Sequence, residues 1–147
     1  MAASDVDVVQ MAAQRNQDEK VLLLQRLAEK IQRQGYDEAG VGKCHIFKGR
    51  RRPSDGYCYI SYIYFARDTS CTVAKAQWLV KNVKCPLVDI PHNHQVSHLC
   101  HNRNCINEKH LVLEPRGVNT RRKMCVSGQQ CIGHGQYDEC KLAYRFV

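Results

Sequence analysis

The hydrophobic positions change period along the chain, and each change marks an element. Over residues 4–34, Leu24, Leu27, Ala28 and Ile31 recur at i, i+3, i+4 and i+7, the stripe of one helical face. Ser4 suits the cap of that helix, Asp5 and Asp7 suit the positive end of its dipole, and Gly35 is a natural stop. The polar stretch Gln14–Lys20 offers a point at which it could divide into two helices. Residues 35–43 carry three glycines and no periodicity, so they read as a linker. Tyr57–Phe65 is β-branched and aromatic, the composition of an antiparallel strand. It sets Tyr57, Tyr59 and Phe65 on one face and Tyr62 and Tyr64 on the other, a pattern that serves a core first and a nucleic-acid surface second. Thr72–Val83 reads as a short helix with Trp78, Leu79 and Val83 inward, ended by Pro86, and Leu87–Ile90 as a further strand. Val96–Leu99 and Leu111–Leu113 are apolar stretches able to pair as a hairpin, and a helix is expected from near Gly117.

With 147 residues, the chain divides into a helical extension, 1–40, and one domain, 41–147. Charge sharpens that division. Residues 1–40 hold five Lys/Arg against seven Asp/Glu, a net of −2, and the remainder seventeen against seven, a net of +10. The basic part suggests a polyanionic partner. No run approaches the roughly 18 apolar residues of a membrane span, and no secretory signal is visible, so an intracellular, nuclear protein with no membrane association is expected. Nine cysteines, an odd number, standing close to histidines, favour zinc over disulfides.

Cys100, Cys105 and His110 supply three zinc ligands within a loop that bridges the predicted hairpin. That loop is rich in Asn and charge and cannot hold its shape by burial, whereas a metal can. Tetrahedral closure needs a fourth ligand, with Cys44 the choice and Cys85 the competitor. Cys125, Cys131, His134 and Cys140 form a second, wholly local Cys3His set, with Gly128, Gly133 and Gly135 allowing tight turns. Cys58, Cys71 and Cys85 are left as buried free thiols.

His98 precedes Cys100 by two residues, and in a strand the two share a face. It is either a further ligand or, with the zinc quota filled, a general base for water at the mouth of the loop. Asn119 falls in the first turn of the last helix, as a cap or as an oxygen ligand for Mg²⁺. Arg116, Arg121, Arg122 and Lys123 around it make a phosphate-binding density. Arg50, Arg51 and Arg52, in a basic turn beside Tyr57–Phe65, are the second candidate DNA surface.

The series S-H-L-C-H-N-x2-C-x-N-x2-H-L, then Asn119, then Cys125, Cys131, His134 and Cys140, resembles the His-Cys box homing endonucleases, within the ββα-metal or His-Me finger nucleases. The resemblance is specific from Ser97 to Cys140, weaker from Cys44 to Ile90 and absent from residues 1–40. It implies an α+β fold: a ββα-metal core with antiparallel sheet, two structural zinc sites and, here, an N-terminal helical extension. It implies a sequence-specific, Mg²⁺-dependent endonuclease acting on double-stranded DNA, with His98 the general base and Asn119 the Mg²⁺ ligand. Cys44, Cys100, Cys105 and His110 would hold the first zinc and the local set the second. Three departures stand out. The second zinc set has altered spacing. The family's arginine near the scissile phosphate has Arg67 as its candidate here, although simple spacing points to Tyr64. The family's exchanged C-terminal tail has no equivalent in the seven residues after Cys140, so the expectation is a homodimer formed differently, or a monomer that nicks. The competing readings are a zinc-stabilised DNA-binding or regulatory module without cleavage, and a zinc module for protein partners, which the basic balance disfavours.

Overall fold

The structure is a computed structural model that describes residues 5–40, 42–64, 67–82 and 91–142. Among the described residues, three α-helices and three two-stranded antiparallel ladders make an α+β fold. Helix α1 spans Asp5–Gln34, followed by strands β1 (Tyr36–Ala39) and β2 (Cys44–Phe47), then β3 (Tyr59–Tyr64) and β4 (Arg67–Thr72). Helix α2 spans Val73–Asn82, strands β5 and β6 span His94–His98 and Leu111–Pro115, and α3 spans Arg116–Gly128. Among the described residues no helix is long and apolar enough to cross a membrane.

Helix α1 runs unbroken through Gln14–Lys20, so the polar centre does not divide it. Glutamine, lysine, arginine and glutamate are all good helix formers, so polarity alone gives the helix no reason to break. Leu27 and Ile31 are buried with Phe47, Cys58, Ile60, Cys71, Val73, Ala76 and Ile106 in one cluster, against which Leu23 packs. Gly35, with φ of 72°, donates its N–H to the Ile31 carbonyl at 3.0 Å and closes the helix in the left-handed conformation that glycine adopts without strain.

Residues 35–43 are not a linker. Tyr36–Ala39 pairs with Cys44–Phe47 in register Tyr36↔Phe47 to Ala39↔Cys44, and Tyr36 stacks on His45 with ring centroids 4.1 Å apart. The strand was invisible to periodicity because β1 is exposed on three of its four residues and therefore carries no apolar alternation. The division expected after residue 40 falls inside this hairpin.

Helix α2 turns a different face inward from the one expected. Val73, Ala74, Ala76 and Gln77 are buried, Val80 packs on the core, and Trp78 and Leu79 are only partly covered. Val73 and Ala76 share the core cluster with Leu27 and Ile31 of α1. Val83, Cys85, Pro86 and the strand expected at Leu87–Ile90 lie outside the described residues.

Candidate active site and its two metal cages

The hairpin and helix expected around the first cysteine loop are present: β5 pairs with β6 from His94↔Pro115 to His98↔Leu111, and α3 follows directly. Strand β5 ends at His98 and the chain turns at Leu99–Cys100, so the strand rule that would give His98 and Cys100 one face stops applying there. Cys100 turns toward the cysteine cluster and His98 lines a cleft.

Strand β2 reaches the loop as an extra strand. Phe47 donates its N–H to the Asn104 carbonyl at 2.9 Å, Ile106 donates to the His45 carbonyl at 2.7 Å, and Ile46 bridges Cys105. This pairing carries Cys44 to Cys100, Cys105 and His110, and all four are buried. The His110 Nδ1 lies 3.5 Å from the sulfurs of both Cys44 and Cys105. A tetrahedral zinc with Zn–S of about 2.3 Å and Zn–N of about 2.0 Å would set sulfur and nitrogen about 3.5 Å apart, so the cage fits that ion. Asn102 adds an N–H donor 2.9 Å from the Cys44 sulfur, the bond a coordinated thiolate accepts. A hydrogen bond between the Cys100 and Cys105 side chains pulls Cys105 down to about 5 and pushes Cys100 up, the two sulfurs sharing one proton. A divalent cation that accepts both as thiolates displaces that proton.

The second cluster joins Cys125 of α3 to Cys131, His134 and Cys140, with His134 Nε2 at 3.4 Å from the sulfurs of Cys125 and Cys140. The same tetrahedral edge applies. Gly133 and Gly135 take the left-handed backbone expected, with φ of 96° and 63°, but Gly128 is helical and Gln129, with φ of 54°, ends α3.

Beside the second cage sits a buried ion pair. Arg122 donates Nε and Nη2 to the two Glu114 oxygens at 2.6 and 2.8 Å, and Nη1 lies 3.5 Å from the Cys140 sulfur. Both residues are 1% exposed. Burial opposes the guanidinium charge, and the Glu114 and Cys140 bonds more than offset it, holding Arg122 above its ordinary pKa. Arg122 therefore does not belong to the phosphate-binding set: its donors are spent on β6 and the second cage. Glu114→Ala should lower stability by about 3–5 kcal/mol, because it strands a buried charge, whereas replacing both partners by leucine and methionine should recover most of the loss. Urea denaturation of the two variants measures the difference.

Asn119, in the first turn of α3, is not its cap; Pro115 is, with no side-chain cap bond. Asn119 and His98 line one cleft of about 820 Å³. Arg116, Asn119, Lys123 and Val126, a helical stripe of α3, form one part of its lining, and His94, Gln95 and Val96 of β5 adjoin them. Tyr57, Tyr59, Thr72, Ala74 and Lys75 contribute from the preceding elements, and His101 and Arg103 from the first cysteine loop. No carboxylate is among these lining residues. Asn104 holds the tyrosine wall to the cysteine loop: its Oδ1 accepts from the Cys58 N–H at 2.7 Å and its Nδ2 donates to the Gly56 carbonyl at 2.9 Å. Arg103 donates to the Asp55 carbonyl at 2.6 Å and sits 5.6 Å from the centre of the Tyr57 ring.

The His98 ring is half-buried, and its Nε2 is buried without a hydrogen-bond partner. The Cys105 backbone lies against the ring in the sense that favours its protonated form. Burial pushes His98 down to about 4, against the pull of the Cys105 backbone and with help from His101 and His110.

The other expected contacts divide. Arg116 and Lys123 line the cleft, while Arg121 is exposed off that stripe. Arg50 and Arg51 are exposed outside the cleft lining. Arg52 is tied to Asp55 and lies 3.9 Å over the Tyr59 ring. Arg67 pairs with Tyr64, at the end of the β3–β4 ladder opposite the cleft-lining pair Tyr59↔Thr72. Five residues of strand, about 17 Å, separate the backbones of Arg67 and Thr72. The side chain of Arg67 lies outside the described residues. Arg103, Lys75, His101 and Gln95 were not anticipated. Arg103 stood in view as the basic residue within the Cys100–Cys105 loop; Lys75 and Gln95 carry no local signal.

No curated protein matches the chain. The family model of the zinc-binding loop region of homing endonuclease matches residues 27–143 and so takes in both cysteine cages, the hairpin and α3. With that match over most of its length, the chain belongs to this homing endonuclease family.

Proposed function

We propose that this protein is a divalent-metal-dependent endonuclease that hydrolyses phosphodiester bonds in double-stranded DNA at specific sequences. The observation that carries the reading is the occurrence of His98 and Asn119 in one cleft whose described lining is basic and includes no carboxylate. Such a lining repels no phosphate, and its cations attract one. The two cages serve as structural zinc sites, since all four ligands of each come from the protein and leave no open position.

In this mechanism His98 Nε2 accepts the proton of the water that attacks phosphorus. Asn119 donates its Nδ2 to Gln95, which leaves Oδ1 as a hard oxygen suited to Mg²⁺. When bound, that cation supplies charge stabilisation at the leaving 3′ oxygen. Arg116 and Lys123 hold phosphates on either side of Asn119; seven helical residues space them by about 10 Å. Arg103 and Lys75 provide positive charge from the other elements of the cleft, the part expected of Arg67.

The test is incubation of the zinc-loaded protein with supercoiled plasmid and Mg²⁺. Nicked product indicates a monomer acting on one strand, and linear product a pair acting on both. A normal gel shift with neither product rejects cleavage in favour of a DNA-binding module. The cleft also separates the arginines of α3. Arg116→Ala and Lys123→Ala should each reduce the salt slope of DNA binding by about 1, whereas Arg121→Ala should leave it unchanged. Gel shifts across a salt series measure those slopes.

A further inference from the structure

Asn119 ends in a primary amide, and only one of its two ends is useful to a cation. The oxygen can ligate; the NH2 group repels. Rotation about the last side-chain bond of asparagine is broad, so the helix alone does not decide which end meets the cleft. The deciding contact comes from β5. The Gln95 Oε1 accepts from the Asn119 Nδ2 at 2.7 Å. With Oε1 as the acceptor, Gln95 takes the NH2 end of Asn119 and leaves the Asn119 oxygen to the cleft.

The two elements that carry this pair are held rigidly. Gln95 stands opposite Glu114 in the β5–β6 register, and Glu114 clamps Arg122 of α3 in the buried ion pair. Arg116 N–H donates to the Asn93 carbonyl at 2.7 Å and ties the start of α3 to the turn before β5. The amide pair is therefore a short bridge between two fixed anchors.

We propose that Gln95 is the positioning residue for cation binding: it fixes the sense of the Asn119 amide, and so sets the affinity of the cleft for a divalent metal without touching the metal itself. This rests on the reading of Asn119 as the cation ligand. Partners of this kind, which orient a ligand from behind, change metal affinity by about 10–100-fold when removed. A glutamate at position 95 keeps the acceptor, and a leucine removes it at similar size.

The test uses the full chain carrying His98→Ala, bound to supercoiled plasmid, and follows Mn²⁺ binding by the loss of its free electron-paramagnetic signal. Added Gln95→Leu should raise the Mn²⁺ midpoint at least about 10-fold. Added Gln95→Glu should keep or lower it. Two zinc ions per chain, an unchanged melting transition and an unchanged gel shift in the absence of Mn²⁺ set aside a general loss of structure. Gln95→Leu with an unaltered midpoint, while Asn119→Ala weakens binding, overturns this inference alone. A glutamate variant as weak as the leucine variant overturns it too, since the acceptor would then not be what matters. An unaltered midpoint in Asn119→Ala overturns the assignment of Asn119, and the role of Gln95 with it.

Discussion

Replacing His98 by alanine is expected to lower plasmid cleavage by about 10²–10⁴-fold, the contribution of a positioned general base. Zinc content should stay at two per chain and the gel shift should be unchanged. The reason is local. His98 lies beside the first cage but is not among its four ligands, and its Nε2 makes no bond on which the fold depends. Unaltered cleavage by the variant would remove His98 from the mechanism. The acid dependence of the unaltered protein provides a second reading of the same group. A base acts when unprotonated, so its contribution is complete above its pKa and lost as the pH falls through it. From sequence, an ordinary histidine would lose activity between pH 8 and 5. Burial pushes His98 down to about 4, which moves the loss below that interval. The profile of kcat/KM, which reports the free enzyme, is therefore expected to be flat from pH 8 to 5 and to fall toward pH 4.

Removing one ligand of the first cage should have the largest effect on stability. Cys44→Ala is expected to yield protein with one zinc per chain and without a cooperative melting transition at the original temperature. Structural zinc in small domains contributes about 10–16 kcal/mol, as much as or more than the 5–15 kcal/mol net stability typical of a folded protein. The cage also does a specific mechanical task. It ties β2 to the loop whose Ile106 enters the core, and whose Asn104 and Arg103 hold the Asp55–Cys58 segment at the cleft. Cys58→Ala is the control: Cys58 is equally buried but belongs to no cage, so the loss should be only about 1–2 kcal/mol, with both zincs kept. Metal analysis and thermal melts of the two variants decide it. Two zincs and an unshifted transition in Cys44→Ala would show that the fourth ligand lies elsewhere.

The two cages were legible because metal coordination writes itself into residue type and short spacing. Cys100, Cys105 and His110 fall within one loop, as do three ligands of the second cage, and no long-range packing is needed to bring them together. Cys44 was harder: its claim against Cys85 rests on β2 lying beside the loop, a pairing made by backbone bonds that carry no side-chain signature. The hairpin and α3 were legible for the reason the cages were, since an apolar run on each side of a metal loop leaves few other arrangements.

The arginines mark where local reading ends. Arg121 and Arg122 are neighbours in a basic run, yet a helix rotates about 100° between them. One faces solvent and the other is sealed against Glu114. A charge count treats them alike. The same holds for Arg67, near the strand end in sequence, whose backbone stands at the end of the ladder away from the Tyr59↔Thr72 pair.

By itself the sequence determined the chemistry available to this protein: two Cys3His sets, one histidine beside a metal loop, one asparagine on a basic helix, and a polyanion-seeking charge. Those properties follow from residue identity and, Cys44 apart, from spacings within a single loop or helix. Only the tertiary structure decided which of those groups share a cleft and which arginine is buried. Each of these depends on contacts between residues distant in the chain, Glu114 with Arg122, Gln95 with Asn119 and β2 with the cysteine loop, and on burial, which no single residue carries.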